Sequence, residues 1–212
     1  MIWKVGTALF LMALLGPAAP ARAQVFGHYT GADCVPMGGH MFGGYVHASD
    51  GLLGLSSQLR LSFYPNIDFG FQGGLVRSDQ GGGGDDVVTV QLGTDVKFQV
   101  KKGPGISLAL GGAFGVETGD NYHLMTLGPT FTASYALGNQ GGAGVTPYAG
   151  VAVLFNDADI QNQESQDVTM PFRFGADFRL APEIRIVGEI QLRPNDPYGD
   201  SFAFVTGVNL PF

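Results

Sequence analysis

The chain ends Ser201-Phe202-Ala203-Phe204-Val205-Thr206-Gly207-Val208-Asn209-Leu210-Pro211-Phe212. Its even positions are large and mostly apolar, while its odd positions are small or polar. Strict period-two alternation describes a strand with two unlike faces. Whether the apolar face meets a protein core or lipid must be decided from the rest of the chain.

Working back from that end, the same pattern recurs. From about residue 39 the sequence reads as strand after strand, the first (roughly Gly39 to His47) being glycine-rich. In the second, Leu53, Leu55, Leu59, Leu61 and Phe63 share one face with Ser57, opposite Gly54, Ser56, Gln58, Arg60 and Ser62. Equivalent alternation runs through 67–77, 88–100, 106–117, 123–137, 145–155, 168–180 and 184–193. The count is about ten strands, with eight as the alternative if the glycine-rich segment is not a strand. Short connections such as Tyr64-Pro65-Asn66 and Ala181-Pro182-Glu183 carry turn chemistry. They tend to alternate with longer, acidic ones, at His47 to Leu52, Ser78 to Asp86, Asn156 to Asp167 and Pro194 to Asp200. Pro129, Pro147 and Pro171 fall within strands and mark bulges or strand ends, because proline removes a ladder donor.

Three features favour lipid outside the strands. The strands run about 10 to 14 residues, beyond the usual 5 to 6 but suited to crossing a bilayer at a tilt. Their polar faces are mostly Gly, Ala, Ser and Thr, whereas a solvated surface is roughly 25–35% charged. Their apolar faces carry almost no charge apart from Arg77 at an end, as expected where a midplane charge costs about 2–4 kcal/mol. Charged residues make up 14% of the 212, below the roughly 25% of soluble domains. The expected fold is therefore all-β, an antiparallel transmembrane barrel over 39–212 with both termini periplasmic.

Residues 1–23 read as a signal peptide: Lys4, a short apolar run from Ala8 to Leu15, and the small-x-small pattern Ala21-Arg22-Ala23. The apolar run is too short for a membrane-spanning helix. Residues 24–38 then form a periplasmic N-terminal segment containing Cys34, the single cysteine, read as an unpaired thiol. Cleavage after Ala23 leaves nine Lys and Arg against 18 Asp and Glu, a formal charge of −9. With no basic stripe, nucleic acid is excluded as a partner.

The mature chain resembles the small Gram-negative outer-membrane β-barrels, the broad class that includes OmpA-like and OmpX-like barrels. Gly207, Leu210 and Phe212 match the C-terminal signal read by the barrel-assembly machinery, although Val205 stands where a polar residue is usual. The resemblance implies outer-membrane residence, contact with outer-membrane lipid and lipopolysaccharide, and help from the assembly machinery and periplasmic chaperones. It implies no cofactor and no particular activity. No peptidoglycan-binding domain follows Phe212 in this sequence, so an OmpA-type wall anchor is not expected.

The candidate site is a set of inward charges: Arg60, Asp68, Asp95, Lys97, Glu117, Arg173, Asp177, Arg179, Arg185, Glu189 and Arg193. Buried charges are tolerated when paired, so these are expected to fill the lumen, with cross-strand pairing among Arg173, Asp177, Arg185 and Glu189. The expected role is structural or surface-interacting, through acidic outer loops. A narrow porin is the alternative, since inward glycines such as Gly70, Gly93, Gly111, Gly128 and Gly150 leave space. A rim enzyme is the remaining option, through His47-x-Ser49 (lipid A deacylase-like) or Asp157-x-Asp159 (omptin-like). Neither has its family's surrounding motif, so no catalytic residue is assigned. His28, His40 and His123 lack metal-ligand spacing and read as isolated polar positions.

Overall fold

Alternation in the sequence becomes a closed wall in the computed structural model. The structure describes residues 28–49, 52–78, 87–103, 105–120, 122–137, 144–160, 163–194 and 201–212. The expected signal peptide, 1–23, lies outside them. The described strands are β1 (His40–Ser49), β2 (Leu52–Tyr64), β3 (Ile67–Ser78), β4 (Val87–Lys101), β5 (Ile106–Gly119), β6 (Tyr122–Tyr135), β7 (Gly144–Ala152), β8 (Leu154–Ile160), β9 (Gln163–Thr169), β10 (Phe172–Ala181), β11 (Ile184–Leu192) and β12 (Phe202–Pro211). All pairings are antiparallel. β1 pairs with both β2 and β12, and β5 with both β4 and β6, so the sheet closes.

Twelve segments make ten wall strands. β7 and β8 are one strand interrupted at Val153, and β9 and β10 are one strand interrupted at Met170-Pro171. β6 spans the interruption, pairing with β7 through Thr130–Ser134 and with β8 through Tyr122–Leu127. Two prolines sit at this junction, where Val153 N–H donates to Pro129 O at 3.1 Å and Ala152 N–H to Pro171 O at 3.1 Å. Pro147 lies between the Ser134↔Tyr148 pair and the isolated Leu137↔Val145 bridge, a gap in the ladder where no donor is required. The glycine-rich first segment is a full strand, so the eight-strand alternative is discarded.

One connection is corrected. The acidic stretch Asn156 to Asp167, expected as a loop, is mostly the β8–β9 hairpin, with Asp159 opposite Glu164 and Asp157 opposite Gln166. On β8 the alternation is inverted, with Leu154, Ala158 and Ile160 turned inward and Asp157 and Asp159 outward, and on β9 both faces are polar, so the pattern that marks the other strands is lost. It continues the wall beyond the apolar belt, whose last residues here are Met125, Phe155 and Val168.

That belt covers the outside. Leu53, Leu55, Phe71, Leu75, Leu92, Phe98, Leu110, Phe131, Phe174, Ile190, Phe204 and Leu210 are all exposed. Soluble monomers rarely leave so much contiguous apolar surface open to water, and patches of this extent mark contact with protein or membrane. At the seam, His40 and Phe212 exchange backbone hydrogen bonds of 3.1 and 2.9 Å, and their rings stack with centroids 5.4 Å apart. The terminal aromatic thus finishes the closing ladder. If the belt faces hydrocarbon, Leu92→Arg will lower unfolding free energy by about 2–4 kcal/mol. Glu164→Arg, on the polar hairpin, will change it little. Urea titration of the protein refolded into lipid, read by heat-modifiable gel mobility, measures both.

Candidate functional site

The lumen is built on one arginine. Arg60 on β2 lies directly opposite Gly70 on β3, and Gly70 lies opposite Asp95 on β4. A Cβ at Gly70 would overlap the Asp95 carboxylate. Glycine there lets the two longer side chains meet across it. The Arg60 guanidinium is wholly buried and sits between two carboxylates. It donates to Asp95 through Nη2 at 2.7 Å and Nη1 at 3.2 Å, and to Asp68 through Nε at 3.2 Å and through Nη2. Lys97, in register with Asp68, lies 3.4 Å from its Oδ2.

Into this network comes the chain's own N-terminal segment. The described part of the segment expected outside the barrel lies within the lumen from His28 to Val35. His28 Nδ1 is 2.7 Å from Asp95 Oδ1, and its Nε2 is 3.1 Å from Thr130 Oγ1. Lys97 Nζ donates to Thr30 Oγ1, Gly31 O and Asp33 O at 3.1, 3.1 and 2.9 Å. Val35 N–H donates to Asp68 Oδ2 at 3.0 Å and Ala32 N–H to Ser134 Oγ at 3.1 Å. Asp33 Oδ1 accepts from Gln99 and Ser107, each at 2.7 Å. The Tyr29 ring lies 4.2 Å from that of Tyr45, while Asn209 Nδ2 donates to Tyr29 O at 3.1 Å and Asn209 Oδ1 accepts from Tyr45 Oη. This segment is a plug. Its exposed backbone groups find partners in the wall, as buried polar groups must.

A second network lies on the other side of the barrel. Arg173 Nη1 is 3.8 Å from Glu189 Oε2, and its Nη2 donates to Thr132 at 3.2 Å. Glu189 accepts from Tyr148 Oη at 2.8 Å and Gln191 Nε2 at 2.7 Å, and Arg193 donates to Gln191 at 2.8 Å. Arg185 Nη1 is 3.5 Å from Asp177 Oδ2. Glu117 stands apart, accepting from Thr89 at 2.7 Å and Gln91 at 3.0 Å. Arg179 sits nearer the turn end, opposite Arg185.

Neighbouring groups lie over four of the inward glycines. Gly70 is covered by Asp95 and Arg60, Gly111 by Thr130 and the Val96 carbonyl, Gly128 by the Val153 carbonyl, and Gly150 by Arg173. Gly93 borders a void of about 10 Å³ beside Tyr29, about the space of one water.

The enzyme candidates fare differently from their sequence spacing. His47 Nε2 pairs with Ser56 Oγ at 2.6 Å, across the β1–β2 ladder, rather than with Ser49. His47 Nδ1 has no partner among the described residues, so no acid orients the ring, and Tyr29 lies edge-on over it at 5.4 Å. Asp157 and Asp159 face outward on β8. Among the described residues no group of three or more His, Cys, Asp or Glu could hold a metal. His28, read as isolated, is a member of the Asp95 network.

No family profile matches the chain, and no curated protein sequence matches it. Solved structures do. An outer membrane channel from Pseudomonas putida F1 is similar over 90% of this chain and 100% of its own, at 11% identity and TM-score 0.56. Similarity to the N-terminal β-barrel domain of Pseudomonas aeruginosa OprF covers 83% of this chain and 98% of that one, at 9% identity and TM-score 0.38. The β domain of the Bordetella autotransporter BrkA aligns over 82% and 99%, at 11% identity and TM-score 0.39. Only the first overlap is close enough to carry a fold. The fold is that of an outer-membrane β-barrel.

An outer-membrane location follows from this fold and its apolar exterior. Within the barrel, the plug was not visible in the sequence, because a short irregular segment has no periodicity. Its one signal was density of hydrogen-bonding residues, His28, Tyr29, Thr30 and Asp33, in a stretch with no strand to place them on. Chemically, the arrangement neutralises charge and occupies space. Removing Arg60 would take from two buried carboxylates the cation they share, leaving Asp68 with Lys97 and Asp95 with His28. Arg60→Met will therefore destabilise the barrel by about 3–5 kcal/mol, measured as a shift of the urea midpoint in lipid.

Proposed function

We propose that this protein is a non-enzymatic outer-membrane barrel held closed by residues 28–35, with a structural or surface-interaction role. The observation that carries the reading is the triple engagement of Lys97 Nζ by Thr30, Gly31 and Asp33. A buried ammonium whose donors all point at the plug makes the plug part of the lumen's charge balance. The acidic β8–β9 hairpin, with Asp157, Asp159 and Glu164 outward beyond the apolar belt, offers a surface to partners. Gly207, Leu210 and Phe212 would serve assembly, with the assembly machinery and chaperones as biogenesis partners.

A second reading is a channel shut in this conformation. It is favoured by the segment being joined to β1 through the short Pro36–Gly39 turn, where Gly38 has a positive φ of 79°. The similar Pseudomonas putida structure is described as a channel.

Planar-bilayer recording of the refolded protein separates the two. The closed-barrel reading expects a flat baseline, and reproducible long-lived single-channel steps overturn it. Cys34 reports on the plug independently. Burial pushes its thiol up to about 11, and its Sγ–H faces Lys97 O at 3.6 Å. At pH 8 little thiolate forms, so alkylation of the folded protein will be slow against the urea-unfolded chain. Lys97→Met will accelerate it by releasing the plug's anchor.

A further inference from the structure

The plug and the charge networks account for the middle of the lumen, but not for its turn end. There a cavity of about 360 Å³ lies beneath the plug, bordered by Asp33, Lys102, Ser107, Thr146, Arg179 and Arg185. Arg179 and Arg185 are direct cross-strand partners on β10 and β11, and both point inward. Like charges directly opposite in a ladder repel. At this pair the nearby acid is Asp177, and its contact with Arg185 is loose, at 3.5 Å. Arg185 Nε is buried without a hydrogen-bond partner among the described residues. A buried donor is normally satisfied, and here it borders open, polar space. Lys102 approaches from the β4–β5 turn, exposed and with no ion pair to a described residue.

Arg173 Nη1, in the second network, is likewise buried without a hydrogen-bond partner among the described residues, but Arg173 does not border this cavity. Arg60 and Lys97 also border this cavity, but Asp68, Asp95 and the plug's oxygens engage them. Of the two acids bordering it, Asp33 is held by Gln99 and Ser107 and Asp177 faces Arg185, so Arg179, Arg185 and Lys102 outnumber the acids beside them.

We propose that the Arg179–Arg185 pair and Lys102 form a binding site for a small water-borne oxyanion of the phosphate or carboxylate class. Guanidinium forks grip such groups with two parallel hydrogen bonds, and one anion between the two arginines converts their repulsion into shared attraction. The walls are inward-facing side chains, so membrane lipid is kept from them. The site stands whether or not the lumen conducts.

The test is calorimetric titration of the refolded full-length protein with inorganic phosphate in detergent, at ionic strength held constant with chloride. Saturable one-site binding is expected. Arg185→Gln will weaken it by roughly tenfold or more, the worth of one charge-assisted contact, and Arg179→Gln with Arg185→Gln will abolish it. Lys101→Gln, an exposed charge outside the cavity, will leave it unchanged. Arg179→Lys with Arg185→Lys keeps the charge while removing the forks, and will bind more weakly than wild type. Heat-modifiable mobility checks that each variant is folded. Heat that does not saturate, or binding that the folded double Gln variant retains, overturns the site.

Discussion

A buried guanidinium clamped between two buried carboxylates is the constraint on which this barrel's interior depends. Arg60 alone would be prohibitive to bury, and so would Asp68 or Asp95. Together, with Lys97 and His28 around them, they satisfy one another. The arrangement also dictates its neighbours. Gly70 must lack a side chain for Arg60 and Asp95 to meet, and Lys97, with its charge already balanced by Asp68, has donors left for the N-terminal segment. Charge balance and space filling are therefore one problem with one solution, and the plug is part of it.

The exterior obeys a simpler rule. Lipid penalises charge and tolerates any apolar side chain, so the outer face is uniform in character and varied in shape. The contrast between a permissive outside and an exacting inside inverts the soluble barrel, whose apolar interior accepts substitution by volume. Here an inner position is specified by its partners, as at Tyr45, which bonds Asn209, stacks on Tyr29 and overhangs Gly43 and Gly207.

This contrast explains what could be read from the sequence. Wherever a strand has lipid on one side and the lumen on the other, alternation is strong, and strands such as Leu52–Tyr64, Val87–Lys101 and Phe202–Pro211 were legible almost to their ends. Where both sides are polar, as on Gln163–Thr169, a strand reads as a loop. The inward charges were identifiable from their face alone, and Arg173 with Glu189 and Arg185 with Asp177 lie on the strands expected to pair them. Glycines misled, because sequence shows that a side chain is missing but not that a neighbour's has taken its place. The plug escaped notice since its contacts are all long-range: His28 meets Thr130 and Tyr29 meets Asn209, with nothing local to announce either.

The Tyr29–Asn209 bond joins residues 180 positions apart, one before the first strand and one on the last. The segment before β1 therefore cannot complete its seat until β12 is in place. Such contacts raise the average sequence separation of the native fold, and high separation slows folding through the cost of loop closure. Final ordering of the interior is tied to the seam: the barrel locks its contents as it shuts.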